Sequence, residues 1–418
     1  MKLLRYPKAL RPATAVLLVA WLALVSSSGA TPSPAKAAPL PQTIVIGIDA
    51  PLNGTDAPNG ESLANGAVLA IEDANAHGLA GGAFRLRPDV RDDAVGGKHD
   101  PKTGAQNARA FIENRAVLAT IGPLNSNVAA AQIPLTNEAG LVQISPAATS
   151  DSLTVGPEAR ELRGAHVGTN TFFRVCARDS RQGDALAHFA RMLGWRSVYV
   201  IDDGETYGKG LADDFAALFA GLGGKVIKHD RILGDEHDFK ALLAGVKAAK
   251  PDVVFFGGTT STGAALLRRQ MVDAGMSNTP YVGGDGFSGA EFVKRAGDAA
   301  INTYYSVAAA DVMSLSGAAA FVERYRKRFA TDPGAYSGNS YAATQVAIAA
   351  IEVAIKDEGG KMPSRLAVLR RVAETDNLKT LIGAIKFDNH GDTTAPTLTL
   401  KKIDRGKLAT LDLLTLQL

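Results

Sequence analysis

Val117-Leu-Ala-Thr-Ile-Gly-Pro-Leu-Asn-Ser-Asn127, followed after a helix-length segment by Leu141-Val-Gln-Ile-Ser-Pro-Ala-Ala-Thr149, decides the fold. Two short apolar runs, Val117–Ile121 and Leu141–Ile144, each end in a loop of small and hydroxyl-bearing residues, 122–127 and 145–150. Short apolar runs bounded by turn signals, with a helical segment between them, predict a parallel β-α-β unit. In open parallel sheets ligands bind beyond the carboxyl ends of the strands, so both loops are expected at one crevice. They offer backbone N–H groups, the hydroxyls of Ser126 and Thr149, and the start of a helix near Asn127. Unpaired N–H groups at a helix N-terminus suit an anion such as a carboxylate. Ser126, Asn127 and Thr149 have a second reading as caps of the segments that follow them.

Working outward, apolar runs alternate with helix-period segments from Thr43 to about Ala308. The reading gives strands at Ile44–Ile48, Phe84–Val90, Thr171–Val175, Val198–Ile201, Lys225–Ile232, Val253–Phe256, Tyr281–Val282 and Asn302–Ala308, with helices between them. Such alternation predicts doubly wound α/β architecture with parallel sheets. It then gives way to three helical segments, Ala318–Phe329, Tyr341–Lys356 and Arg365–Thr375. Extended runs at Ala384–Phe387, Thr397–Lys402 and Lys407–Leu411 follow. Two α/β blocks, a helical block and late strands imply two lobes with the chain crossing between them more than once.

Residues 1–37 read as a secretory signal: Lys2, Arg5, Lys8 and Arg11, the apolar run Ala13–Val25, then Ala35-Lys36-Ala37 as a cleavage site. Residues 38–42 read as a linker, and an oxidising, exported location is expected. No later stretch is long and apolar enough for a membrane span, which needs about 20 residues. The whole chain carries 45 Lys and Arg against 42 Asp and Glu. Five of the basic residues fall in 1–37 with no acid, so the remainder has 40 against 42, a net charge of −2. That balance argues against nucleic acid or an anionic membrane as partner. A single cysteine, Cys176, excludes an intramolecular disulfide and leaves stability to burial.

Enzyme signatures are incomplete. Gly286-Phe-Ser288-Gly289 falls one residue short of a Gly-x-Ser-x-Gly nucleophile turn, and no phosphate-binding loop ends in Gly-Lys-Ser/Thr. Asp235-Glu-His-Asp238 reads as a solvated helix start with Asp238 as cap rather than a metal site, because four adjacent residues cannot all face one ion. No metal, cofactor or catalytic residue is expected, and an exported hydrolase is disfavoured. Trp195 and Tyr199 are expected to pack.

Gly47-Ile-Asp-Ala-Pro-Leu-Asn-Gly-Thr-Asp-Ala-Pro-Asn-Gly60 followed by Gly66-Ala-Val-Leu-Ala-Ile-Glu-Asp resembles the opening of the periplasmic branched-chain amino-acid-binding proteins. Ile121-Gly-Pro-Leu-Asn-Ser, Ile144-Ser-Pro-Ala-Ala-Thr, Tyr207-Gly-Lys-Gly, Phe256-Gly-Gly, Gly283-Gly-Asp-Gly and Ser340-Tyr-Ala-Ala continue the likeness in order, over about 43–392. The resemblance implies a type I periplasmic-binding-protein fold, with two lobes joined by three crossings. They would close on a small ligand that is handed to the membrane permease of an ATP-driven importer. Lobe one would be 43–177 plus 309–382 and lobe two 178–308 plus 383–418, in a monomer.

Carried over by the resemblance, Ser126, Ala147 and Thr149, with Ala148 between them, match positions that hold a ligand α-carboxylate. Asp285 matches the acidic partner of the α-ammonium, and Tyr207 a tyrosine over the ligand. The ligand would be an amino-acid zwitterion. Thr259 and Asn59 stand where leucine-binding relatives carry aromatics, and the first-lobe disulfide of some relatives is replaced near Asp92 and Asn125. These departures would remove apolar wall and add polar groups, so the expected ligand is a branched-chain or related amino acid, with one other than Leu, Ile or Val left open. A ligand sensor for an amide or other small polar solute, signalling to a partner, is the alternative of the same fold.

Overall fold

The computed structural model describes residues 41–164, 169–233, 236–404 and 407–415. The expected signal segment 1–37, residues 38–40 of the linker, and Asp235 lie outside the described residues.

Five parallel strands form the first sheet, in the order Phe84–Asp92, Gln42–Ala50, Val117–Ile121, Val142–Ser145, Phe172–Arg174. Both faces are covered, and alternate side chains of one strand show it. Ile44, Ile46 and Ile48 join Leu63, Ala67 and Ile71 of the Ala57–His77 helix and Val346, Ala347 and Ile351 of the Ser337–Asp357 helix. Val45, between them, faces Phe111 of the Pro101–Glu113 helix, Val117 and Leu141. Every residue of Val117–Ile121 is buried, as a central strand of a doubly covered sheet requires. Each fully buried Ile or Leu contributes about 1.5–3 kcal/mol.

The second sheet runs Lys407–Thr415, Thr397–Asp404, Thr303–Val307, Tyr281–Gly283, Val253–Gly257, Ser197–Asp202, Lys225–Arg231. Its last five strands are mutually parallel, and the two late strands pair antiparallel at one edge. Val198, Val200 and Phe255 pack with Leu211, Phe215 and Phe219 of the Thr206–Gly221 helix. Tyr199, Ile201, Val254 and Phe256 turn to the opposite side. Trp195 packs edge-on against Phe189 and Tyr304, as expected. The expected doubly wound α/β class with parallel sheets is what the chain adopts.

The chain passes between the sheets three times: from Arg174 into the Asp179–Met192 helix, after Val307 towards the Ala319–Phe329 helix, and from Ile385 to Thr397. A buried arginine ties two of these crossings. Arg174 Nε lies 2.5 Å from Asp392 Oδ1, and its Nη1 donates to the carbonyls of Ala148 and Ser150 at 3.1 and 2.8 Å. Asn339 bridges the third by donating to the carbonyls of Pro146 and Ala308, each at 3.1 Å. The loop that begins at Ser145 is thus held by the crossings themselves.

Local readings shift by a few residues. The Ser337–Asp357 helix begins before the expected Tyr341, and its Tyr341 hydroxyl donates to Asp73 Oδ2 at 2.7 Å, a packing role. A hairpin of Ala94–Val95 with Lys98–His99 and a helix at Gly156–Leu162 carry no period in the sequence strong enough to announce them. Asp238 Oδ1 accepts the Lys240 N–H at 3.0 Å where the Lys240–Ala249 helix begins. No helix among the described residues is long and apolar enough to cross a membrane.

Candidate functional site

At the carboxyl ends of both sheets lies a cleft of about 400 Å³, counting the part open to solvent. Asn59, Ser126, Ala147, Thr149, Tyr207, Thr259 and Asp285 all line it, joined by Asp56, Leu124, Asn125, Gly286 and Tyr336. Ala148 does not line it. It is fully buried among Ala129, Ile133, Leu153 and Phe172, and its N–H donates to Ser145 Oγ at 2.8 Å.

One wall is rich in donors. Ser126 is the first residue of the Ser126–Glu138 helix, and Asn125 before it provides no side-chain cap. Asn127 Oδ1 accepts the Val128 N–H at 2.9 Å, which leaves the N–H groups of Ser126 and Asn127 for another acceptor. Ser126 does not cap its own helix either: its Oγ accepts the Ser150 N–H at 3.2 Å, tying the two loops together. The Ala147 N–H, expected to face a carboxylate, is directed at Ser145 Oγ, 3.2 Å away. The Thr149 hydroxyl lies towards Asp179 and favours its charge.

The facing wall is acidic and dry. Asp285 opens a single turn, Asp285–Phe287, directly after strand Tyr281–Gly283, and is 4% exposed. Burial raises its pKa, while the hydroxyls of Tyr207 and Tyr336 and the amide of Gln182 favour its charge. Gln182 Nε2 lies 3.4 Å from Asp285 Oδ1 and 3.2 Å from Asp179 Oδ1, so one amide spans two buried carboxyls. Burial drives the Asp179 pKa well up, and the neighbouring Asp285 adds to it. No hydrogen bond to Asp285 Oδ2 or Asp179 Oδ2 is completed among the described residues. Leaving such atoms unpaired costs about 1–3 kcal/mol each, more if charged, which a bound cation would offset. Gly286 lets the turn close: a Cβ there would sit 2.2 Å from the Gly258 carbonyl, and its N–H donates to Tyr207 Oη at 3.0 Å.

At the mouth a polar clasp joins the two sheets. His99, at the end of the small hairpin, has Nδ1 2.7 Å from Asp56 Oδ2 and Nε2 2.8 Å from Glu205 Oε2. Glu205 also accepts from Asn127 Nδ2 at 3.2 Å, and Ser261 Oγ donates to Asp56 Oδ2 at 2.8 Å. Burial alone would lower the His99 pKa, but hydrogen bonds and charge from Asp56 and Glu205 outweigh it and raise it to about 10. Asn59 adds a further tie, with Nδ2 3.3 Å from the Ser288 carbonyl and 3.2 Å from its Oγ. Ser288 is thereby paired with an amide and has no base beside it.

The sequence profile of the periplasmic binding protein family matches residues 43–407. The chain belongs to that family. The Leu/Ile/Val-binding protein BraC3 of Rhizobium johnstonii is 31% identical over 366 residues, covering 87% of this chain and 93% of that protein. A leucine-binding protein of Thermotoga maritima superposes with a TM-score of 0.76 at 25% identity, covering 88% of this chain and 98% of that one. The branched-chain amino acid transporter substrate-binding protein LivJ of Streptococcus pneumoniae, solved in complex with isoleucine, gives the same score and identity over 90% and 100%. This periplasmic binding protein therefore has the type I fold of its relatives and is a solute-binding protein, not an enzyme.

Several cleft residues of the binding protein escape a reading of the sequence. Asp56 and Tyr336 precede their helices and carry no local signature of a site. Gln182 and His99 act through partners far away in the chain, Asp285 and Glu205, which no spacing rule reveals.

Proposed function

We propose that this binding protein is the exported solute-binding component of an ATP-driven importer and that it closes its two lobes on an amino-acid zwitterion. The closing units are 43–177 with 309–382, and 178–308 with 383–418. The observation that carries this reading is the placement of an uncapped helix N-terminus and the Ser126 hydroxyl on one wall of the cleft, with the buried, incompletely paired Asp285 on the other. A carboxylate suits the first wall and an ammonium the second. Each lobe holds half of the partners, so the ligand binds the closed form preferentially and shifts the population towards it. The names of relatives from Rhizobium and Streptococcus, which refer to Leu, Ile and Val or to branched-chain amino acids, support the amino-acid class.

A thermal-shift and calorimetric screen against the amino acids tests the reading. At about 100 times its dissociation constant a ligand adds about 2.7 kcal/mol to stability. No stabilisation by any amino acid, in a protein that melts cooperatively, would remove this proposal.

A further inference from the structure

Resting on the zwitterion reading, we infer that the end of the cleft built by Asp56, Asn59 and Asn125 is a subsite for an uncharged, hydrogen-bond-donating side chain, so that the ligand is a hydroxyl- or carboxamide-bearing amino acid rather than an aliphatic one.

Once the carboxylate is assigned to Ser126 and the helix N-terminus, and the ammonium to Asp285, the rest of the lining must meet the side chain. That remainder contains two aliphatic residues, Leu124 and Ala147, and the rings of Tyr207 and Tyr336 among polar groups. Its polar atoms are mostly acceptors with nothing to accept. Asp56 is 6% exposed; its Oδ2 takes His99 and Ser261, and its Oδ1 takes no donor among the described residues. Asn59 spends its amide N–H groups on Ser288, which leaves its carbonyl oxygen open. Asn125 Oδ1 is buried with no partner among the described residues. The Thr259 hydroxyl, in contrast, is committed to Ser261 at 2.8 Å and Thr262 at 3.2 Å.

Three acceptors around one space require donors from the occupant, because an acceptor stripped of water and left unpaired is costly. An isopropyl or isobutyl group would displace their water and return no hydrogen bond. His99, raised to about 10 and so protonated at neutral pH, shares its charge between Asp56 and Glu205, and Asp56 Oδ2 also takes the Ser261 hydroxyl, so what Asp56 still lacks is one donor at Oδ1. A neutral donor supplies it. The same clasp fixes where the Asp56 carboxylate stands, which makes His99 a positioning residue for the subsite.

The test is calorimetry on the mature protein with serine, threonine, asparagine and glutamine against leucine, isoleucine and valine. At least one hydroxyl or carboxamide ligand should bind tenfold or more tightly than every aliphatic one, as expected for a site whose polar groups an apolar analogue leaves unpaired. Asn59→Leu and, separately, Asp56→Asn should each narrow that ratio by threefold or more while the melting transition stays cooperative. Tighter binding of the aliphatic set overturns the inference and leaves the amino-acid reading standing. An unchanged ratio in both variants overturns the assignment of the subsite. Failure of all seven to bind while another amino acid stabilises the protein overturns the inference alone, and failure of every amino acid overturns the zwitterion reading itself.

Discussion

His99 Nε2 stands 2.8 Å from Glu205 Oε2, although His99 ends the small hairpin and Glu205 precedes the Thr206–Gly221 helix, 106 positions further along the chain. Parting of the two walls of the cleft would break this contact, so it would favour the closed form. Asp56 from the same side of the cleft and Glu205 from across it hold the His99 pKa at about 10, against about 6.5 for a free imidazole. The groups that face it are Asp56 and Glu205 by contact and Asp93 and Asp100 through space. Asp56 lies on the same side of the cleft as His99, so closure adds only the Glu205 share of the rise, which is present at neutral pH and lost as pH climbs through about 10. Small-angle scattering of the ligand-free protein should show a radius of gyration that grows as pH approaches that value. His99→Phe should be more open at neutral pH and flat across the same range. A wild-type radius that does not change with pH would dismiss the clasp.

Asp285→Ala leaves the ligand's ammonium buried beside no carboxylate of the closing turn. Affinity should fall by about 3–5 kcal/mol, roughly two to four orders of magnitude. Calorimetry reads it directly, and an unaltered dissociation constant would place the ammonium elsewhere. The melting temperature should hold or rise, since a carboxyl whose pKa burial raises is costly to keep charged in the free protein.

Arg174 and Asp392 pair across two crossings, fully buried on the arginine side and 6% exposed on the other. The arginine's charge is favoured by Asp392 against the cost of burial, and the Asp392 pKa is correspondingly lowered. Removing one partner alone, as in Asp392→Ala, should destabilise by about 3–5 kcal/mol. Urea denaturation measures this loss. Because Arg174 also holds the carbonyls of Ala148 and Ser150, affinity should weaken along with stability.

Asp93 is fully buried with neither carboxyl oxygen paired among the described residues, and it lies against Asp49. Burial raises both, and Asp49 keeps its charge more readily because Asn107 and Gln132 donate to it at 2.7 and 2.5 Å. An acid whose folded pKa is raised costs stability as pH rises above its ordinary value of about 4. Asp93→Asn, which keeps the shape and removes the charge, should therefore raise the melting temperature at pH 9 more than at pH 5. Equal shifts at both values would show that folding does not raise the Asp93 pKa.

The sequence by itself determined the two sheets and half of the site. Runs such as Val117–Ile121 and Val253–Phe256 are apolar on both faces, and only a sheet covered on both sides can bury them. The loops after them had to reach the crevice, which is why Ser126 and Thr149 could be named from hydroxyls and N–H groups placed just beyond strand ends, while Asp285 came from the family resemblance. Tertiary structure alone decided the rest. Ala148 and Ala147 are neighbours in one small-residue loop, yet only Ala147 lines the cleft, because Arg174 anchors the Ala148 carbonyl and turns that residue into the core. Nor does a period exist for His99, Asp56 and Glu205. A hydrogen bond between lobes depends on the angle at which two separately folded sheets meet, and that angle is set by the crossings at Arg174, Ala308 and Asp392 rather than by any local pattern of residues.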